Sequence, residues 1–207
     1  MLIMRANRFV WIPLWAGLLG SLTGCIGGAT PPSQFYLLEP LRESESEASA
    51  VSEKPAVALS PVKIPRYVDR PQIVAATGPN AYRLSELNRW AESLDDNIGR
   101  VLAQNLSRLA SVDVVPTNGS GLARQARLRV SVAILEFHVN PEGQAGLTAQ
   151  WRIARGEDGI QVRQVSYRTP ASTSDYQVMV AALNDCLNRM SRELAAAVRQ
   201  TLAAGNR

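Results

Sequence analysis

Between positions 126 and 139 the chain reads A-R-L-R-V-S-V-A-I-L-E-F-H-V. Apolar side chains fall at Ala126, Leu128, Val130, Val132 and Ile134, then one residue out of step at Leu135, Phe137 and Val139. A period of two is the signature of a strand with one buried face, and a slip of one residue would turn every later side chain to the wrong side. An extra residue absorbed as a bulge near Ile134 restores the phase. The next run places Leu147, Ala149, Trp151 and Ile153 on one face and Thr148, Gln150 and Arg152 on the other. A third strand, 160–168, follows the turn from Gly156 to Gly159, so the three form a meander with one apolar side that needs a cover.

Two helical stripes supply it. From Trp90, apolar residues recur at Leu94, Ile98, Val101, Leu102, Leu106 and Leu109, the spacing of a single helical face. Ser174 with Gln177 three residues on reads as a capping box. Tyr176, Val180, Leu183, Leu187, Met190, Leu194 and Val198 then mark a second stripe, with Gly205 as its stop. Shorter strands are expected at 35–38 (F-Y-L-L, buried), 56–64, 72–76, 80–85 and 112–116, those at 72–76 and 80–85 forming a hairpin. The expected fold is a two-layer α+β domain over 34–207, a mainly antiparallel sheet packed against two amphipathic helices. With 46% hydrophobic and 19% charged residues the chain supports one such core. The serine- and glutamate-rich stretch at 41–54 cannot bury enough apolar surface to offset its ordering entropy, so it reads as a flexible acidic loop.

The N-terminus follows other rules. Arg5 and Arg8 precede an uncharged apolar run that ends in L22-T23-G24-C25, the pattern of an export signal. Its last four residues resemble the lipobox of bacterial lipoproteins, in which small residues precede a cysteine that is alkylated and becomes the new N-terminus. Residues 1–24 are therefore expected to be removed, and Cys25 to carry a diacylglyceryl thioether and an N-acyl chain. Three acyl chains at about 0.8 kcal/mol per buried methylene hold a protein to a bilayer essentially irreversibly. Residues 25–33, rich in Gly and Pro, form a tether whose reach is on the order of 30 Å. Ile26 stands where an aspartate retains lipoproteins at the inner membrane in enterobacteria-like sorting, which favours the periplasmic face of the outer membrane. Only one other cysteine exists, Cys186, and its place on the second helical stripe makes it a small core residue.

Several function classes fall away. Removal of residues 1–24 takes two arginines and no acids, lowering the formal charge from +4 to +2, too little for a nucleic-acid binder without a dense patch. No P-loop motif occurs. His138 is the only histidine, which leaves no His pair for a metal and rests any nucleophile triad on one strand residue, read as a surface or boundary side chain. The acid pairs Asp95-Asp96 and Glu157-Asp158 do not face each other as catalytic carboxylates must, and are read as solvated charge. Arg127, Arg129, Arg152 and Arg163 give the meander a positive face, either plainly solvated or turned toward lipid headgroups or an acidic partner. Neither a catalytic site nor a cofactor is expected beyond the lipid on Cys25.

The blocks I64-P-R-Y-V-D-R-P-Q-I-V74 and N88-R-W-A-E-S-L94, with F35-Y-L-L38 and A149-Q-W-R-I153, resemble the ABC-type transport auxiliary lipoproteins, the PqiC-like (paraquat-inducible protein C) family. The resemblance spans essentially the whole mature chain. Ser93, where the family often has proline, is a departure, and so is the long acidic insert. It implies a noncatalytic, lipid-anchored accessory subunit that docks or stabilises an MCE-domain lipid conduit, working with an inner-membrane permease or transporter, and it leaves a homo-oligomer open. The alternative is a periplasmic lipid-binding carrier. Within the two blocks Tyr67, Asp69 and Arg70, in a proline-bounded loop, and Arg89 and Trp90 are the candidate partner contacts. An aromatic that opens an amphipathic stripe is otherwise a core residue.

Overall fold

The computed structural model describes residues 31–42, 54–117, 121–156 and 159–205. Residues 1–24, Cys25, most of the tether, the glutamates of the acidic insert and Glu157-Asp158 lie outside them. From Ser33 onward the chain forms one compact unit. Its elements run β1 (Gln34–Tyr36), β2 (Ala56–Leu59), β3 (Gln72–Gly78), β4 (Ala81–Trp90), α1 (Leu94–Ala110), β5 (Asp113–Pro116), α2 (Leu122–Gln125), β6 (Leu128–Val139), β7 (Gln144–Arg155), β8 (Gly159–Pro170) and α3 (Tyr176–Ala204).

The alternating segment is the axis of an eight-stranded mixed sheet. Along one edge, β6 pairs antiparallel with β7 from Arg129↔Ala154 to Val139↔Ala145, and the register shifts between Ile134 and Glu136. The bulge lies where the sequence pattern demands it. Leu135 is the extra residue and is exposed, so the inward row resumes at Phe137 and does not include it. β8 completes the meander on β7. The longest ladders are thus antiparallel, while the short strands β1, β2 and β5 pair in parallel.

The other edge of β6 is shared. β2 covers Leu128 to Val130, and the chain after it stays alongside: the Lys63 N–H donates to the Val132 carbonyl and the Ile134 N–H to the Lys63 carbonyl. Pro65 then turns the chain away, with the N–H groups of Val68 and Asp69 both returning to its carbonyl. β3 meets β6 again only at Ala75↔Val139, and β4 and β1 extend the sheet beyond it.

Helices α1 and α3 lie side by side on one face. Between them and the sheet Leu102, Leu106, Phe137, Leu147, Trp151, Met179 and Leu183 are almost wholly buried, each removing about 1.5–3 kcal/mol worth of apolar surface from water. These side chains form the core between the two layers. Asp175, not Ser174, caps α3, its carboxylate accepting from the N–H groups of Gln177 and Val178; Ser172 accepts from Ser174 and Asp175 one step earlier. Cys186 is buried on the inward side as expected, its thiol against the Thr169 hydroxyl and pushed up by burial.

Two further expectations change. The F-Y-L-L segment is not a buried strand: β1 is a three-residue edge paired only with β4, leaving Phe35 64% exposed and only Leu38 fully buried. Trp90 ends β4 and does not open the helix, which starts at Leu94 after Ser93. The short helix α2 was not foreseen, because four residues carry no readable period.

Past β1 the chain lies across the helices as a strap. The Asn97 amide accepts from the Leu38 N–H and donates to its carbonyl, Asn184 accepts from Glu39, and Asn105 accepts from Leu41. Buried asparagines need this kind of pairing to be tolerated, and the Nδ2 of Asn105 also donates to Asn188 and Ser191 of α3.

Candidate partner surface on the uncovered sheet face

With both long helices on one side, no helix of the described residues lies across the middle of the opposite face of the meander. Register assigns it Arg129, Ser131, Ala133, Glu136 and His138 from β6, Ala154, Arg152, Gln150, Thr148 and Gly146 from β7, and Ile160, Val162, Gln164, Ser166 and Arg168 from β8.

Where β2 departs from β6 and β3 has not yet arrived, Tyr67 fills the gap. Its hydroxyl accepts from the Phe137 N–H at 3.3 Å and lies 3.0 Å from Nδ1 of His138. The tautomer of His138 decides which of the two groups donates in the second contact, the hydroxyl having one proton to give and two lone pairs to receive. The Tyr67 ring sits 5.1 Å from Tyr82 and 5.8 Å from His138, and Tyr82 meets His138 edge-on at 5.4 Å. Burial raises the Tyr67 pKa to about 12. It also holds His138 below its usual value, Arg168 adding to that effect and Glu136 opposing it. His138 is 8% exposed, more buried than the surface or boundary side chain expected of its strand position, because Tyr67 packs against it.

Glu136 extends the cluster. One oxygen lies 3.7 Å from Nε2 of His138 and the other accepts from Arg168 at 2.8 Å and from the Thr148 hydroxyl at 3.0 Å. This pair crosses the middle strand over Gly146, where a Cβ would stand 2.5 Å from the Arg168 guanidinium and 2.8 Å from the Glu136 carboxylate.

Of the other candidate residues, Asp69 is exposed at the loop tip, and Arg70 is half-buried with its Nε–H lacking an acceptor among the described residues. Arg89 is half-exposed on β4 and registers with both Gln72 and the exposed Phe35. Trp90 is separated from them: it is 6% exposed and packs against Phe137 at 6.5 Å, with its backbone N–H on the Pro71 carbonyl. It belongs to the core cluster. Sequence reasoning missed Tyr82 and Phe35, whose exposure on the same face follows only from the topology.

The four arginines also divide. Arg127, Arg129 and Arg152 gather with Arg124 around an open depression between α2 and the start of β6. Arg163 faces the helices, opposite Trp151, and pairs with Glu193 of α3 at 3.0 Å. It does not belong to the positive face.

The comparisons fit this architecture. The family model of the ABC-type transport auxiliary lipoprotein component matches residues 36–195. The chain is 25% identical over 130 residues to the intermembrane transport lipoprotein PqiC of Escherichia coli K12, covering 63% of this chain and 67% of that protein, and equally to PqiC of Shigella flexneri. A crystal structure of a Xanthomonas campestris protein superposes with a TM-score of 0.68 at 14% identity, covering 84% of this chain and 99% of that one. Another, of an uncharacterized protein, gives 0.67 at 18% identity over 81% and 99%; at such identities these two show the shared fold alone. On the extent of the family match, the chain belongs to the ABC-type transport auxiliary lipoproteins.

Proposed function

We propose that this protein is a noncatalytic, lipid-anchored accessory subunit of an MCE-type intermembrane lipid transport system. Cys25 carries the lipid, the outer membrane holds it on its periplasmic face, and the domain docks or stabilises the MCE conduit delivered from an inner-membrane permease or transporter. The observation that carries the reading is the similarity to intermembrane transport lipoproteins across most of the folded unit. The geometry supports it in two ways. The Tyr67 hydroxyl, with a pKa near 12, is spent on a backbone N–H and a neutral imidazole, a structural use and not one poised for proton transfer near neutral pH. The end of the sheet face opposite the helices that presents Asp69, Arg89, Tyr82 and Phe35 combines charge with exposed aromatic surface, the composition of contact sites.

A photo-crosslinking residue at Asp69 or Arg89 in the full lipidated chain tests it. Capture of an MCE-domain protein is expected; recovery of bulk lipid and unrelated envelope proteins alone overturns the docking role. Intact-mass analysis of the processed chain is expected to show acyl groups at Cys25.

A further inference from the structure

The chain enters the domain along an edge that no further strand of the described residues covers. β1 ends the sheet on its side and pairs with β4 alone. From Phe35 to Leu38 the side chains alternate outward and inward. Phe35 is 64% exposed and Leu37 45%, whereas Tyr36 packs against the core and Leu38 is fully buried. Phe35 and Leu37 therefore share one side of the chain, two residues and about 7 Å apart. No other large apolar side chain among the described residues is as exposed as Phe35.

Exposed apolar groups scattered singly need no explanation. These two are neighbours, and their position in the chain says what lies opposite them. They stand ten and twelve residues after Cys25, and the chain from Cys25 to Gln34 spans at most about 30 Å. With Cys25 acylated, β1 is the first element that the anchor brings within reach of the headgroups. A surface held that close acts at high effective concentration, so an apolar contact too small to bind a free domain forms once the chain is anchored. At headgroup depth the free backbone groups of an edge strand keep their water, which the hydrocarbon core would strip from them. Nothing tethers a soluble protein partner to this edge in the same way.

We infer that the β1 edge rests on the bilayer that holds the lipid anchor, with Phe35 and Leu37 inserted among the phospholipid headgroups. The inference rests on the acylation proposed for Cys25 and is independent of docking to an MCE protein. It gives the domain an orientation. The edge at Leu37 faces lipid, Phe35 marks the border of the contact end, and Asp69 at the loop tip is left for the protein partner.

The full acylated chain in vesicles of phosphatidylethanolamine and phosphatidylglycerol provides the test, with a nitroxide attached in turn through F35C, L37C or V162C; Cys186 is buried. Val162, 54% exposed on β8, is the water-facing reference. The ratio of oxygen to nickel-chelate accessibility is expected to be at least about threefold higher at positions 35 and 37 than at 162. Adding F35D to the L37C chain is expected to bring its ratio down to the reference, and an unchanged ratio overturns the paired insertion. Equal ratios at all three positions overturn the inference while the anchor stands. Positions 35 and 37 shielded from both reagents overturn it in favour of a protein cover such as a second copy. Release of the chain from the vesicles by an alkaline wash overturns the anchor and the inference with it. The crosslinking result at Asp69 decides the docking role on its own.

Discussion

The two edges of β6 are held in different ways. Toward β7 it has one partner along its whole length, interrupted only by the bulge at Leu135. Toward the other side it has three in succession: β2 with its extension to Lys63, the Tyr67 hydroxyl, and β3 at Val139. The regular edge is stabilised by repetition, so that no single hydrogen bond decides it. The composite edge depends on particular side chains at particular places.

Substitution should expose that contrast. The largest effect is expected on the regular side, at Trp151, which is fully buried: Trp151→Ala should cost about 3–5 kcal/mol in chemical denaturation. Trp151→Phe should cost less than Trp151→Ala, because it leaves a smaller cavity and, the indole N–H having no acceptor among the described residues, loses no hydrogen bond. A cost near that of alanine would show that the indole is held by an unseen partner.

At the composite edge, Tyr67→Phe changes one atom and strands both the Phe137 N–H and His138 Nδ1. About 1–3 kcal/mol is expected, with hydrogen-exchange protection falling at Phe137 while the β7-facing amides keep theirs. Uniform loss of protection along β6 would mean that the two edges are one cooperative unit.

The same cluster sets a pH dependence. Burial holds the folded-state pKa of His138 below the ordinary histidine value of 6.5, so the unfolded chain binds the proton more readily. The stability contributed by neutral His138 is complete above 6.5 and declines as pH falls from there toward the folded-state value, with a slope of at most about 1.4 kcal/mol per pH unit. His138→Gln should flatten the stability profile in that window; an unchanged slope would assign it to other groups.

The smallest effect is expected for the Glu136–Arg168 pair, whose side chains are partly exposed. A double-mutant cycle should give under about 1 kcal/mol. A larger coupling would mean that the pair is shielded from water by something not yet identified.

This contrast also explains what could be read from the sequence. The meander, the bulge, the two long helices and the buried Cys186 follow from periodicity, because each repeats one rule over many residues. Periodicity has no purchase on the composite edge, where Pro65, Tyr67 and Pro71 each act once. The I64-to-V74 block could be recognised as a family feature without revealing that its tyrosine completes a strand edge. Trp90 and F-Y-L-L were misplaced for a related reason: apolar residues at element ends satisfy a helix stripe, a core strand or an exposed edge equally well, and only the pairing of β1 with β4 separates these. Arg163 was grouped with the other arginines by its charge, although strand parity with Trp151 turns it to the opposite side.

The asparagine-pinned strap beyond β1 has a mechanical consequence. A pull from upstream of Gln34 reaches the domain first through three parallel ladder steps and then through the amides of Asn97, Asn184 and Asn105. Those bonds share the load along the helices, so tension on a tethered molecule would be resisted in shear before any core strand is peeled away.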